Sequence, residues 1–142
     1  MGIFKILSKL FTNKSTDPMD TNLGKGKTFE EKYDEQGVFH YEEDGFTIQY
    51  KDFYANIKWD SITELNVYKK DLITIDRIEM EIVYGDKALT ISEDLPGWYQ
   101  FILKTKSIFP TIPEDWDLVI INPAFETNWR NIYKDLNKGK QV

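Results

Sequence analysis

A chain of 142 residues is the length of one domain, and 41% apolar with 15% aromatic residues is enough material for a packed core, which excludes disorder throughout. The absence of cysteine and the presence of a single histidine, His40, exclude disulfides, thiolate zinc sites, cysteine nucleophiles and multi-histidine metal centres. The formal charge of -6 is unevenly placed: residues 1–27 carry five lysines and two aspartates (+3), leaving 13 bases and 22 acids (−9) for the rest. A body this acidic repels nucleic-acid phosphates and suits a basic protein partner, although net negative charge also serves solubility alone.

In chain order, Met1–Phe11 reads MGIFKILSKLF, with Ile3, Ile6, Leu7 and Leu10 at helical spacing and Lys5 and Lys9 on the polar side. About 20 apolar residues are needed to span a bilayer, so the segment is too short to cross one. It lacks a small-residue cleavage site, and Ile6 stands where a myristoylation motif needs Ser or Thr. Two readings stay open: a peripheral membrane helix with Ile3, Phe4, Leu7 and Leu10 as contacts, or a segment that packs on its own domain or frays. Thr12–Thr28 is polar and rich in turn formers, and reads as a tether. Its Gly26-Lys27-Thr28 imitates the end of a phosphate-binding loop but has Thr21 where the upstream glycine belongs. Residues 1–27 are thus a short segment plus tether, and 28–142 a single domain.

From Phe29 to Ser92 the apolar period is close to two. Phe46, Ile48 and Tyr50 alternate with polar residues after Glu43-Asp44-Gly45, and Phe53, Ala55, Ile57 and Trp59 alternate again. A change of phase between Ile62 and Leu65 predicts a bulge. The longest strand is expected near Ile73–Tyr84, turning at Gly85-Asp86 into Ala88–Ser92. Trp98, Phe101, Ile102, Thr105, Ile108 and Phe109 then follow helical spacing, with Glu93 or Asp94 as cap and Pro96 in the first turn. Trp116–Ile121 reads as extended. Asn122 and Pro123 read as the start of a second helix carrying the stripe Phe125, Trp129, Ile132, Tyr133 and Leu136. The expected class is α+β: a meander of about six to seven antiparallel strands followed by two helices.

No catalytic motif is present. His40 lies between Phe39 and Tyr41 in a strand, with no nucleophile elbow to serve. The acids of Glu42-Glu43-Asp44, Glu93-Asp94 and Glu114-Asp115-Asp117 each have a local explanation in turn chemistry or helix ends. A carboxylate-dependent hydrolase requires a pair among Glu42, Asp44, Asp115 and Asp117 to converge in a cleft. Tyr54, Tyr68 and Tyr99 lie off the apolar phase and are expected to be exposed near acids, whereas Trp59 and Trp129 fall in core stripes.

Several segments resemble a group of small acidic bacterial proteins of mostly uncharacterised function: Trp59–Leu65 (WDSITEL), Tyr68–Ile78 (YKKDLITIDRI), Ser92–Trp98 (SEDLPGW), Phe109–Trp116 (FPTIPEDW) and Pro123–Asn128 (PAFETN). The meander is also similar to pleckstrin-homology-like and GRAM-like domains, whose bent antiparallel sheet is closed by a C-terminal helix. The resemblance implies a non-enzymatic, cytoplasmic protein without cofactor or metal, of the immunity-protein kind that neutralises a toxin by binding it. The contacts expected on a basic partner are Tyr68, Asp71, Asp76, Glu93, Asp94 and Trp98, at strand ends where loops gather. The alternative is a peripheral module held at the inner membrane by the N-terminal segment. Two departures stand out: two helices are expected where a simple pleckstrin-homology domain has one, and the basic first-loop cluster of phosphoinositide binders is missing.

Overall fold

The computed structural model describes residues 28–137. The expected N-terminal membrane segment and nearly all of the tether lie outside them. Thr28 ends that tether as the cap of helix α1 (Phe29–Asp34), its hydroxyl accepting from Glu31 N while the Glu31 carboxylate accepts from Thr28 N. The period-two reading of Phe29–Asp34 is therefore corrected. This helix buries none of its residues; Phe29 and Tyr33, one turn apart, rest on the Tyr99 ring, a stripe of only two residues, so the Thr-x-x-Glu cap is its clearest mark in the sequence.

Strands β1 (Phe39–Tyr41), β2 (Gly45–Tyr50) and β3 (Phe53–Lys58) form a three-stranded antiparallel sheet. A single 3-10 turn, Trp59–Ser61, carries the chain into β4 (Ile62–Asp71). Strands β5 (Asp76–Tyr84) and β6 (Lys87–Ser92) follow as hairpins, and the second sheet has the order β6-β5-β4-β7. The protein is α+β, with two antiparallel sheets of three and four strands. The predicted bulge falls at Thr63, where the β4–β5 register slips between Ile62 and Glu64. Ile73 and Ile75 are not in the long strand expected from Ile73; they form the tip between β4 and β5.

Both sheets contribute to one buried core. Helix α2 (Trp98–Ile108) lowers Trp98, Phe101, Ile102 and Thr105 into it. Phe101 is fully buried, its ring 4.5 Å from that of Phe39, 5.0 Å from Phe46 and 6.3 Å from Trp59. The helix is capped by Gly97 (φ 94°), not by Glu93 or Asp94, and Pro96 precedes it. Gly97 and Gly37 (φ 61°) mark a place where two backbones cross. A methyl group at Gly37 would stand 2.0 Å from the Pro96 carbonyl oxygen, and one at Gly97 would stand 2.2 Å from that of Gln36. The Pro-Gly-Trp sequence is thus a packing device, fixed further by Val38 N donating to Pro96 O.

Two corrections concern the C-terminal third. Trp116–Val119 is a short helix, α3, not an extended run; Trp116 and Ile120 are buried one turn apart while Leu118 faces out. The second long helix expected from Asn122 to Leu136 is instead strand β7 (Asn128–Lys134), paired antiparallel with β4. The spacing that looks helical belongs to a strand interrupted by a register slip opposite Leu65 and Asn66, which puts Ile132 into the core and leaves Trp129 54% exposed, against the core role expected for it.

Candidate docking surface

The most unusual backbone of the domain lies at one end of the four-stranded sheet. Asp71 and Asp76 pair across the β4–β5 hairpin, leaving Leu72–Ile75 as its tip. Asp71 Oδ1 accepts from Ile73 N at 2.8 Å, Leu72 N donates to Ile75 O and Thr74 N to Leu72 O, all at 2.9 Å or less. The result holds Ile73 at φ 76° and 88% exposed. A β-branched residue in the left-handed region costs on the order of 1–3 kcal/mol, and here it gains no burial in return. Ile75 beside it is exposed as well.

A second apolar side chain is displayed the same way. Asp76 Oδ2 accepts from Phe125 N at 2.9 Å, and Phe125 sits at φ 59° with its ring exposed. Beneath both segments lies Lys69, on the inner face of β4 and wholly shielded from solvent. Its ammonium donates to Ile121 O at 3.0 Å and to Pro123 O, and stands 3.6 Å from Asp76 Oδ2. The buried lysine therefore fastens the α3–β7 loop, which includes the cis Asn122–Pro123 bond, to the hairpin. Trp129 follows at the start of β7, directly opposite Tyr68, with ring centroids 6.5 Å apart. Two stretches some fifty residues apart thus present Ile73, Ile75, Phe125 and Trp129 at one end of the sheet.

The structure brings five of the six expected contacts to that same end and changes what several of them do. Asp71 and Asp76 bracket backbone amides, as just described. Tyr68 is half-buried, its hydroxyl 3.4 Å from Glu81 Oε1; burial, with Glu81 and Glu79 nearby, raises its pKa. Asp94 is exposed, 3.9 Å from Arg77. Glu93 exchanges two hydrogen bonds with Ile78, its N donating to Ile78 O at 2.9 Å and its Oε1 accepting from Ile78 N at 3.0 Å. Trp98 is buried in the core and offers no surface. Ile73, Ile75, Phe125 and the exposed face of Trp129, which share this end, are not among the expected contacts. The signal for the first two is present, an Asp-bounded run D-L-I-T-I-D too short to be two strands and a polar turn.

Glu93 yields a pH-dependent prediction. Desolvation raises its pKa above the ordinary 4.5, reinforced by Asp94 and opposed by the Ile78 amide. The folded state therefore holds its proton to higher pH than the unfolded chain, so this group lowers stability at neutral pH and the deficit disappears as pH falls toward 4.5. Urea unfolding of the Glu93→Gln variant, which keeps the acceptor for Ile78, should show a stability advantage over the parent at pH 7 that shrinks at pH 4.5. An advantage of equal size at both pH values would contradict the assignment.

The acids considered for hydrolysis do not form one constellation. Glu42 accepts from Thr47 and Asn56, and Lys58 stands 3.1 Å from Asp44 and 3.8 Å from Glu42, whereas Asp117 pairs with Lys106 at 3.0 Å and Asp115 is exposed before α3. His40 is exposed on β1 opposite Thr47. Among the described residues no three His, Asp or Glu side chains are grouped to hold a metal ion, and no helix is long and apolar enough to cross a membrane. No family model, curated protein or solved structure matches the chain, so the reading of this surface rests on its geometry and chemistry.

Proposed function

We propose that the protein is a non-enzymatic binding module that docks on a basic protein through the Ile73–Phe125 end of its four-stranded sheet, in the manner of an immunity protein. The observation that carries the reading is the pair of apolar residues, Ile73 and Phe125, held exposed in left-handed backbone by two aspartates. Backbone strain kept at solvent-facing apolar side chains is found chiefly at functional surfaces. Residues 28–137 hold 11 bases against 22 acids, which favours a partner of opposite charge and faster encounter with it. In architecture, two antiparallel sheets around one core with α2 seated on it are what a pleckstrin-homology-like bent sheet would present, with a strand in place of the closing helix.

The test uses the full chain as bait at low and high salt, beside Phe125→Ser and Ile73→Ser variants shown to be folded by circular dichroism. A basic protein retained by the parent, weakened by salt and lost at least ten-fold from both variants supports the proposal. Equal retention by the variants overturns the surface. Binding to anionic vesicles that vanishes when residues 1–27 are removed, with no protein partner, overturns the function in favour of a membrane-peripheral module.

A further inference from the structure

A cavity of about 170 Å³ opens between α1, the start of β5 and one face of α2. Its floor is closed by Ile78, Trp98 and Ile102, which are buried. Its walls are Tyr33, Tyr99 and Leu103, which keep surface open to solvent. Helix α1 adds nothing to the core, yet it sets the Tyr33 ring 6.2 Å from that of Tyr99. Gln100 Nε2 fastens it there by donating to Tyr33 O at 2.5 Å.

Three charged side chains line the cavity: Glu93, Lys106 and Asp117. Lys106 is already engaged, its ammonium donating to Asp117 Oδ1 at 3.0 Å and to Glu114 O at 2.6 Å. Glu93 is not. Its Oε1 accepts from Ile78 N, while Oε2 has neither a hydrogen-bond nor an ion-pair partner among the described residues. Arg77, whose field reaches Glu93, is bound to Glu79 at 2.9 Å. The desolvation that raises the Glu93 pKa marks a carboxylate short of solvation, which a cation would relieve. Burial and then the charges of Glu93 and Asp94 raise the Tyr99 pKa as well, so ring and carboxylates share one negative field. Aromatic walls beside such a charge attract a cation.

Size and geometry narrow the choice of cation. The volume is below the roughly 300–1,000 Å³ of pockets that enclose whole ligands, and suits one side chain with an apolar stem and a charged head. A guanidinium pairs best with both oxygens of a carboxylate, and here the backbone holds Oε1. An ammonium is a point charge that one oxygen serves. We propose that the cavity receives a single lysine side chain of the basic protein partner, its stem against Tyr33, Tyr99 and Leu103 and its ammonium on Glu93 Oε2. The partner's class rests on the docking reading above. Asp76, which holds the Phe125 amide, is two residues along β5 from Ile78, about 7 Å, so one partner face spans both places.

The probe is the peptide Gly-Gly-Lys-Gly-Gly, acetylated at its start and amidated at its end, titrated into the isotope-labelled full chain while amide shifts are followed. Saturating shifts are expected around Glu93, Tyr99 and Leu103. Glu93→Gln, expected above to be more stable than the parent at pH 7, should weaken binding about ten-fold or more. The arginine counterpart should bind more weakly and the Nε-acetyl-lysine counterpart not at all, while Phe125→Ser should bind the lysine peptide as the parent does. No saturating shift at millimolar peptide, equal binding of the acetyl-lysine peptide, or equal affinity in Glu93→Gln would each overturn the pocket and leave the docking end standing. A lysine peptide that binds as expected, beside a full-chain bait that retains no basic protein, would overturn the partner assigned to the pocket.

Discussion

Phe101→Ala should remove a large part of the stability of the domain. Phe101 stacks on Phe39 and meets Phe46 edge-on, two residues of the three-stranded sheet, and it reaches Trp59 in the turn that leads to the four-stranded sheet. Truncating a buried phenylalanine costs about 3–5 kcal/mol through lost transfer energy and the cavity left behind, against the roughly 5–15 kcal/mol that holds a domain together. Urea unfolding should show a large drop in midpoint with little change in slope, and Phe101→Leu, which fills part of the space, should lose markedly less. A drop below about 1 kcal/mol for the alanine variant would mean that the helix is not the element that closes the core.

Lys69→Met should be nearly as damaging, for a different reason. The substitution keeps the volume and the apolar stem but leaves the Asp76 carboxylate without its cation and the Ile121 and Pro123 carbonyls without their donor. Breaking a buried ion pair from one side costs about 3–5 kcal/mol, whereas replacing both partners by apolar groups is often close to neutral. The double variant Lys69→Met with Asp76→Leu should therefore recover a good part of the loss, although it gives up the Phe125 amide contact. Simple additivity of the two single effects would show that the pair is not coupled. Hydrogen exchange should localise the damage, with β7 and the loop before it losing protection ahead of β1–β3.

The parts of the fold that were legible in the sequence are those where one rule decides. Ile78, Met80, Ile82, Leu89 and Ile91 alternate because hairpins β4–β5 and β5–β6 each bury one face, and α2 repeats every three to four residues because it buries one stripe. Where two rules compete, the reading failed. Phe125, Trp129, Ile132, Tyr133 and Leu136 fit a helix on paper, yet Phe125 is a loop residue in left-handed backbone and the strand that follows is out of phase with itself at Ile132. Helix α1 escaped notice because it buries nothing. The docking end was half legible: its aspartates stand out as charges, but their role is to accept backbone N–H groups, and that depends on a turn geometry that no spacing encodes. Isoleucines at 73 and 75 look like strand core until Asp71 and Asp76 are seen to close the hairpin before them.

The order of strands in the second sheet has a consequence for synthesis. β4 ends at Asp71, but the strand that covers its other edge ends at Lys134, 63 residues later. At about 5–20 residues per second, a ribosome takes on the order of 3–13 s to make that stretch. During this interval β5 and β6 can zip onto one side of β4 while the other side stays open, the situation in which nascent chains pair with the wrong neighbour. Lys69 lies at the end of that waiting edge, opposite Asn128 of β7. Before β7 arrives it is a charge on an open strand, a deterrent to strange partners; afterwards it becomes the buried ammonium that locks the late strand's loop in place.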